Sequence, residues 1–123
     1  MTKFVTFSAD GVQHFGVAVD GGCIALDADF PDCKTMRDVI VAGKLKDVSK
    51  ASMGRPVTHP NGSYTLDIPV PNPEKIICVG VNFPDRNAEY KDGQDAPPNM
   101  SLFPRFPRSF TGAELSRLIK ALP

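Results

Sequence analysis

The stretch KFVTFSADGVQHFGVAVDGGCIALD, Lys3 to Asp27, carries the strongest structural signal in the first part of the chain. Three apolar-rich segments with alternating character are separated by two short turns, Asp10-Gly11 and Asp20-Gly21. Asp-Gly pairs between such segments are typical of tight turns that join antiparallel strands. The stretch therefore predicts a three-stranded β-meander.

Two short helices are predicted next. Thr35 precedes MRDVIVAG and is followed three residues later by Asp38, a pattern related to the capping box. Met36, Val39 and Ile40 have helical spacing, and Gly43 is suited to end the helix. The segment LKDVSKASM predicts a second short helix. A turn at Asn61-Gly62, a short strand SYTLDI and a proline-rich linker over residues 69–73 follow.

A second apolar stretch, IICVGVNFPDRNAEYKDG (residues 76–93), predicts a strand buried on both faces, which includes Cys78, and then a short helix. Arg86 and Glu89 are three residues apart and would share one face of that helix. The segment QDAPPNMSLFPRFPRSFTG (94–112) predicts a loop-like or extended chain. The segment AELSRLIKALP (113–123) has helical spacing and predicts a C-terminal helix.

Composition narrows the class of protein. The 123 residues include fourteen basic and fourteen acidic side chains, so the formal net charge is zero. Neither a nucleic-acid partner nor an anionic membrane partner is indicated. We expect a cytoplasmic protein, because the sequence shows no long apolar segment and no signal-peptide pattern. The three cysteines form no CxxC pair and the two histidines have no metal-ligand spacing, so we expect reduced thiols and strand-face or surface histidines.

The segments PEKIICVGVNFPDRNAEYKDG and PPNMSLFPRFPRSFTG, within Pro73 to Gly112, resemble the fumarylacetoacetate hydrolase family. Residues 1–70 are similar to the small β-rich N-terminal domain of its two-domain branch. The implied fold class is α+β and mainly β: this small domain is followed by the opening strand and helix of a mixed β-roll. The expected domains are residues 1–70, 71–112 as the start of the catalytic domain, and 113–123 as a divergent helix or tail.

The resemblance implies an enzyme that acts on 2-oxo acids or 1,3-dicarbonyl compounds as a C–C hydrolase, isomerase, hydratase or decarboxylase. In the complete family enzyme Mg²⁺ or Mn²⁺ stabilises an enolate. Glu89 matches the family's catalytic glutamate, but Arg86 stands where the family has histidine. Arginine does not act as a general base near neutral pH. Arg86 is therefore predicted either to bind a substrate carboxylate or to form an ion pair with Glu89.

The same resemblance implies a basic residue near the active site at Arg105, and Ser101 of the same segment is predicted to bind substrate with it. The alternative is that the surrounding prolines and phenylalanines pack while the arginines face water. The family's metal-binding E-x-E motif is missing from the sequence. We therefore expect no metal site in this chain and no activity from this chain alone, and we interpret it as the N-terminal part of such an enzyme. A non-enzymatic binding or assembly module is the alternative. Because the strand that includes Cys78 is apolar on both faces, we also expect homo-oligomers.

Overall fold

The computed structural model describes residues 1–80, 99–106, 109–110 and 112. These residues fall into two compact units. The first contains Met1–Pro73 together with Phe110 and Gly112, and the second lies within Glu74–Ser109. The domain limits expected from the sequence, at 70/71 and 112/113, remain predictions.

The first unit is built on a five-stranded antiparallel sheet with the spatial order β4-β3-β2-β1-β5. Its strands are β1 (Lys3–Ala9), β2 (Val12–Val19), β3 (Gly22–Ala25), β4 (His59–Pro60) and β5 (Thr65–Leu66). The predicted meander is confirmed, since β1 pairs with β2 and β2 with β3. Between β1 and β2, Asp10 and Gly11 have φ values of 51° and 78°. Positive φ at both central residues defines a type I′ turn, whose twist matches that of the strands it joins.

One face of this sheet carries the core of the first unit. Thr6 lies opposite Phe15, and Val17 lies opposite both Phe4 and Ile24, so these side chains share a face. The helices α1 (Met36–Val41) and α2 (Leu45–Ala51) add apolar side chains to it. The buried cluster consists of Phe15, Val17, Ile24, Leu26, Cys33, Met36, Val39 and Val48. The core thus joins the predicted meander to both predicted helices.

A capping box begins α1 as predicted. The Thr35 hydroxyl accepts a hydrogen bond from the Asp38 N–H at 3.3 Å, and the Thr35 N–H donates to the Asp38 carboxylate at 2.9 Å. Gly43, with φ 69°, follows the helix end and supplies the left-handed backbone common there. The expected apolar stripe is only partly right. Met36 and Val39 are buried in the core, but Ile40 is 44% exposed and is not part of it.

The second unit contains a two-stranded antiparallel ribbon of β6 (Ile77–Gly80) and β7 (Ser101–Pro104). One prediction is refined here and one is corrected. Residues 101–104, expected in a loop-like or extended segment, are extended and pair as a strand. The strand β6 was expected to be buried on both faces. Instead, Ile77 is 64% and Val79 50% exposed, and Cys78 is only half-buried. A two-stranded ribbon leaves its faces open unless other elements pack on them.

The predicted helix after Gly80 and the predicted C-terminal helix lie outside the described residues. Where the chain is described, it is mostly β with few helices, which confirms the coarse fold class. The more specific expectation of a family-type β-roll remains a prediction. None of the helices in the described ranges is long and apolar enough to cross a membrane.

Candidate functional site

Two of the four site residues predicted from the sequence, Arg86 and Glu89, lie outside the described residues. Their role in substrate binding and catalysis stays a prediction. The other two, Ser101 and Arg105, belong to the ribbon of the second unit.

Ser101 and Arg105 lie on the same face of the ribbon. Ser101 begins β7 opposite Gly80, and the Arg105 N–H extends the ladder by donating to the Ile76 carbonyl at 2.9 Å. Side chains two and four residues apart along an extended chain share a face, so Phe103 lies between them. Four residues of strand span about 13 Å. The ribbon therefore presents both side chains on one exposed face without bringing them into contact.

The other face of the ribbon is apolar. Ile77 lies opposite Pro104, and Val79 lies opposite Leu102. Ile77, Val79 and Leu102 are 64%, 50% and 62% exposed. We call these four residues the ribbon apolar face. Contiguous exposed apolar side chains of this kind are typical of surfaces that another protein element covers.

A cluster that the sequence pattern did not predict lies on the first unit, on the sheet face opposite the helices. The two histidines, His14 on β2 and His59 on β4, have ring centroids 5.2 Å apart. The fully buried Phe7 ring lies 5.4 Å from the His14 ring and 5.1 Å from the His59 ring. Tyr64 packs edge-on against Phe7 at 5.4 Å. We call His14, His59, Phe7 and Tyr64 the histidine cluster.

Alternation along β1 and β2 could have placed Phe7 and His14 together, since they face each other in the register. The position of His59 could not have been predicted in the same way. It depends on β4, a two-residue strand that pairs with β3 and places His59 opposite Cys23. No turn signal links these two strands in the sequence. The pairing of distant segments therefore assembled a cluster that spacing alone does not reveal.

Polar groups hold the cluster in place. The His14 Nδ1 lies 3.1 Å and 3.2 Å from the two carboxylate oxygens of Asp27, and the His14 side chain is 19% exposed. The His59 Nδ1 lies 2.8 Å from the Thr58 hydroxyl. Cys23 is fully buried, and this burial raises the pKa of its thiol, while a hydrogen bond with Tyr64 acts in the opposite direction. Cys23 is thus a poor nucleophile near neutral pH.

The described residues do not fit the Mg²⁺ or Mn²⁺ site that the family resemblance implies for the complete enzyme. Among them, no three histidine, cysteine, aspartate or glutamate side chains are grouped so that they could hold an ion. Hard divalent cations require several oxygen ligands. The acidic residues Asp85, Glu89, Asp92 and Asp95 lie outside the described ranges. The described part of the chain therefore offers no ligand set through which such an ion could act.

Two shallow grooves open on the first unit. One, of about 540 Å³, lies between the end of β2 and the end of α2 and is lined by residues that include Lys3, Val19 and Met53. The other, of about 330 Å³, is lined by Gln13, Asp67, Ile68, Pro71, Phe110 and Gly112. Neither groove contains a site residue that the sequence predicted, and neither contains the histidine cluster.

Comparison with known proteins finds a distant relative. The chain is 29% identical over 117 residues to the mitochondrial oxaloacetate tautomerase Fahd2a of Rattus norvegicus. The alignment covers 89% of this chain but only 37% of the relative, so the chain spans little more than a third of that protein. No protein-family model matches the chain. No solved structure matches it either.

Proposed function

We propose that this chain is a member of the fumarylacetoacetate hydrolase family and forms the N-terminal part of a divalent-metal-dependent enzyme that acts on 2-oxo acids or 1,3-dicarbonyl compounds. The observation that carries the proposal is the similarity to the rat tautomerase, which covers 89% of the chain. Coverage of that extent has to include parts of both units, since the second unit, within Glu74–Ser109, is much longer than the uncovered remainder. It therefore agrees with the resemblance of Pro73 to Gly112 to the family's motif.

The reaction that we propose is the keto–enol conversion of a small 2-oxo acid such as oxaloacetate, the compound in the relative's name. In this isomerisation a proton leaves the carbon next to the oxo group, and a proton is added to the oxo oxygen as the enol forms. Nothing is oxidised or reduced, and no group is transferred. The protein has to bind the carboxylate, hold the oxo group and move one proton.

Residue roles follow from these needs. Glu89 is proposed to move the proton, because a carboxylate accepts and returns a proton more readily than an arginine does. Arg86 and Arg105 are proposed to bind substrate carboxylates, which a guanidinium can grip through two hydrogen bonds. Ser101 lies about 13 Å from Arg105 along the strand. It is proposed to donate a hydrogen bond to the substrate at the other end of the site. In the complete enzyme, bound Mg²⁺ would supply charge stabilisation of the enolate.

A chimaera tests this proposal. Residues 1–123 would be fused to the part of the rat tautomerase that follows the aligned region, and the decay of enol absorbance would be followed with oxaloacetate and Mg²⁺. Turnover is expected in the chimaera and absent from the 123-residue chain alone. Glu89→Gln in the chimaera should lower kcat by at least 100-fold. Arg105→Lys should mainly raise KM, since it removes the two-point grip.

Matched controls separate chemistry from folding. Arg55→Lys in the chimaera changes an arginine of the first unit that already pairs with Asp29, and it should leave turnover unchanged. A folded chimaera that shows no turnover, or one that is unaffected by Glu89→Gln, would contradict the proposed enzyme role.

A second candidate function is a binding or assembly module without catalysis, and the ribbon apolar face is the observation that favours it. In that case the chain would associate through this face, and the folded chimaera would show no turnover of oxaloacetate. Sedimentation and enol decay, measured on the same preparation, distinguish the two functions.

A further inference from the structure

We propose that His14 and His59 bind a divalent transition-metal ion such as Zn²⁺ through their Nε2 atoms, on the sheet face opposite the helices. This site is independent of the proposed enzyme function and of the Mg²⁺ that such an enzyme would use. Imidazole nitrogen suits Zn²⁺, whereas Mg²⁺ prefers oxygen ligands. The chain has two histidines in all, and the fold brings both to one place.

The hydrogen bond to Asp27 assigns the proton on His14. The Nδ1 of this ring lies 3.1 Å and 3.2 Å from the two carboxylate oxygens of Asp27. A carboxylate can only accept, so the Nδ1 of His14 carries the hydrogen. In the neutral ring the lone pair is then on Nε2. A histidine that donates one N–H to a carboxylate while its other nitrogen binds metal is a common arrangement in zinc proteins.

The neighbours of Thr58 assign the proton on His59. The Thr58 hydroxyl donates to the Cys23 carbonyl at 3.1 Å and accepts from the Ala25 N–H at 2.8 Å. We place its one hydrogen on the Cys23 carbonyl, which leaves its second lone pair to accept from the His59 Nδ1 at 2.8 Å. In this arrangement the ring donates from Nδ1. His59, like His14, is left with a lone pair on Nε2.

The spacing of the two rings agrees with a shared ion. With a zinc–nitrogen distance of about 2.05 Å and a ring radius of about 1.15 Å, two imidazoles on a tetrahedral ion have centroids roughly 5.2 Å apart. The two histidine rings have centroids 5.2 Å apart. The centroid separation is thus compatible with one ion shared by the two rings.

The surroundings favour a weak site that is open to water. Phe7 contacts both rings and fixes their position from below. Within the described ranges no hydrogen bond reaches Nε2 of either ring, and no third side chain completes an ion site. Water molecules would fill the other positions on the ion. Because the ion would join β2 to β4, binding should stabilise the fold of the first unit.

Zn²⁺ titration of a tag-free chain by calorimetry, with NMR of the imidazole ring protons, tests this proposal. One equivalent of Zn²⁺ should shift the ring protons of both histidines together and raise Tm. His14→Gln or His59→Gln should each weaken Zn²⁺ binding by at least tenfold. Cys78→Ser, which removes the half-buried thiol on the ribbon, is the matched control and should leave binding unchanged.

A second set of measurements defines the ligands. Asp27→Asn should weaken Zn²⁺ binding by about 10-fold through the orientation of His14, without removing a ligand. Co²⁺ in place of Zn²⁺ should give visible d–d bands without a strong thiolate charge-transfer band. The proposal is overturned if the ring protons of the wild-type chain do not respond to Zn²⁺, if binding survives in the His14→Gln/His59→Gln double variant, or if a thiolate band appears.

Discussion

Arg55 and Asp29 form a two-point ion pair, in which the Nη1 and Nη2 atoms of Arg55 each donate to a different carboxylate oxygen at 2.6 Å. The pair ties the segment after α2 to the 3-10 turn Asp27–Asp29 that follows β3. These hydrogen bonds hold the pKa of the Asp29 carboxyl below its ordinary value. The ion pair therefore connects two loops at the surface and is not part of the core.

Replacing the arginine should be visible at Asp29. In Arg55→Gln the pKa of Asp29 should rise towards its ordinary value, measured by NMR of the carboxyl carbon. Since the folded-state pKa is lowered, the pair's contribution to stability is present above the unfolded-state pKa. It should be lost as the pH falls through the folded-state pKa. Lys46→Gln removes one exposed charge that has no ion-pair partner among the described residues and should leave Asp29 unchanged. An unaltered Asp29 titration in Arg55→Gln would show that the pair does not form in solution.

Gly16 should be one of the glycines of the sheet that tolerate substitution least. A Cβ atom built at this buried position would overlap the Ile24 carbonyl oxygen of the neighbouring strand. Backbone cannot move aside as a flexible side chain does, so Gly16→Ala should lower the free energy of unfolding by about 3 kcal/mol. Urea denaturation of the chain measures this.

Gly43→Ala is the comparison for that measurement. A Cβ atom there meets nothing within 4 Å, although φ is 69°. This variant should lose only about 1 kcal/mol, from the left-handed backbone alone. Equal losses in the two variants would mean that β2 and β3 are not as closely paired as the structure describes.

The three thiols should differ in reactivity. Cys23 and Cys33 are buried, and burial raises the pKa of the Cys23 thiol, whereas Cys78 is half-buried on the ribbon. Under native conditions a thiol reagent such as DTNB should label Cys78 first, at least tenfold faster than the other two. All three should react quickly in denaturant. Cys78→Ser should abolish the fast phase, and a fast phase that persists in this variant would contradict the burial of Cys23 or Cys33.

Local chemistry made the first unit largely predictable. The turn at Asp10-Gly11 and the Thr35–Asp38 capping box involve residues close in sequence, and both form as expected. The pairing of β7 was not predicted because residues 94–112 show little helical or strand periodicity. A two-stranded ribbon consists of edge strands, where a residue without an N–H is tolerated, and Pro104 lies opposite Ile77.

The candidate sites were harder to predict because they depend on distant pairing. Nothing near His59 in the sequence indicates that β4 pairs with β3. The contact between His59 and His14 could therefore not be predicted. For the ribbon, the apolar run of residues 76–79 predicts burial correctly only where a covering layer exists. The sequence pattern indicates that these side chains prefer burial. The exposure of Ile77 and Val79 shows that the described residues do not supply neighbours that cover them.

Self-association through the ribbon apolar face is the last prediction. We expect sedimentation velocity to show species larger than one chain. Ile77 and Leu102 are both exposed and lie on the same apolar face of the ribbon. Ile77→Lys/Leu102→Lys should move the distribution towards the monomer, since a paired assembly would bring the added charges together. Val41→Lys and Met53→Lys change exposed apolar side chains of the first unit and should have no such effect. A wild-type chain that stays monomeric at all concentrations, or assembly that persists in the double variant, would exclude this face as the contact.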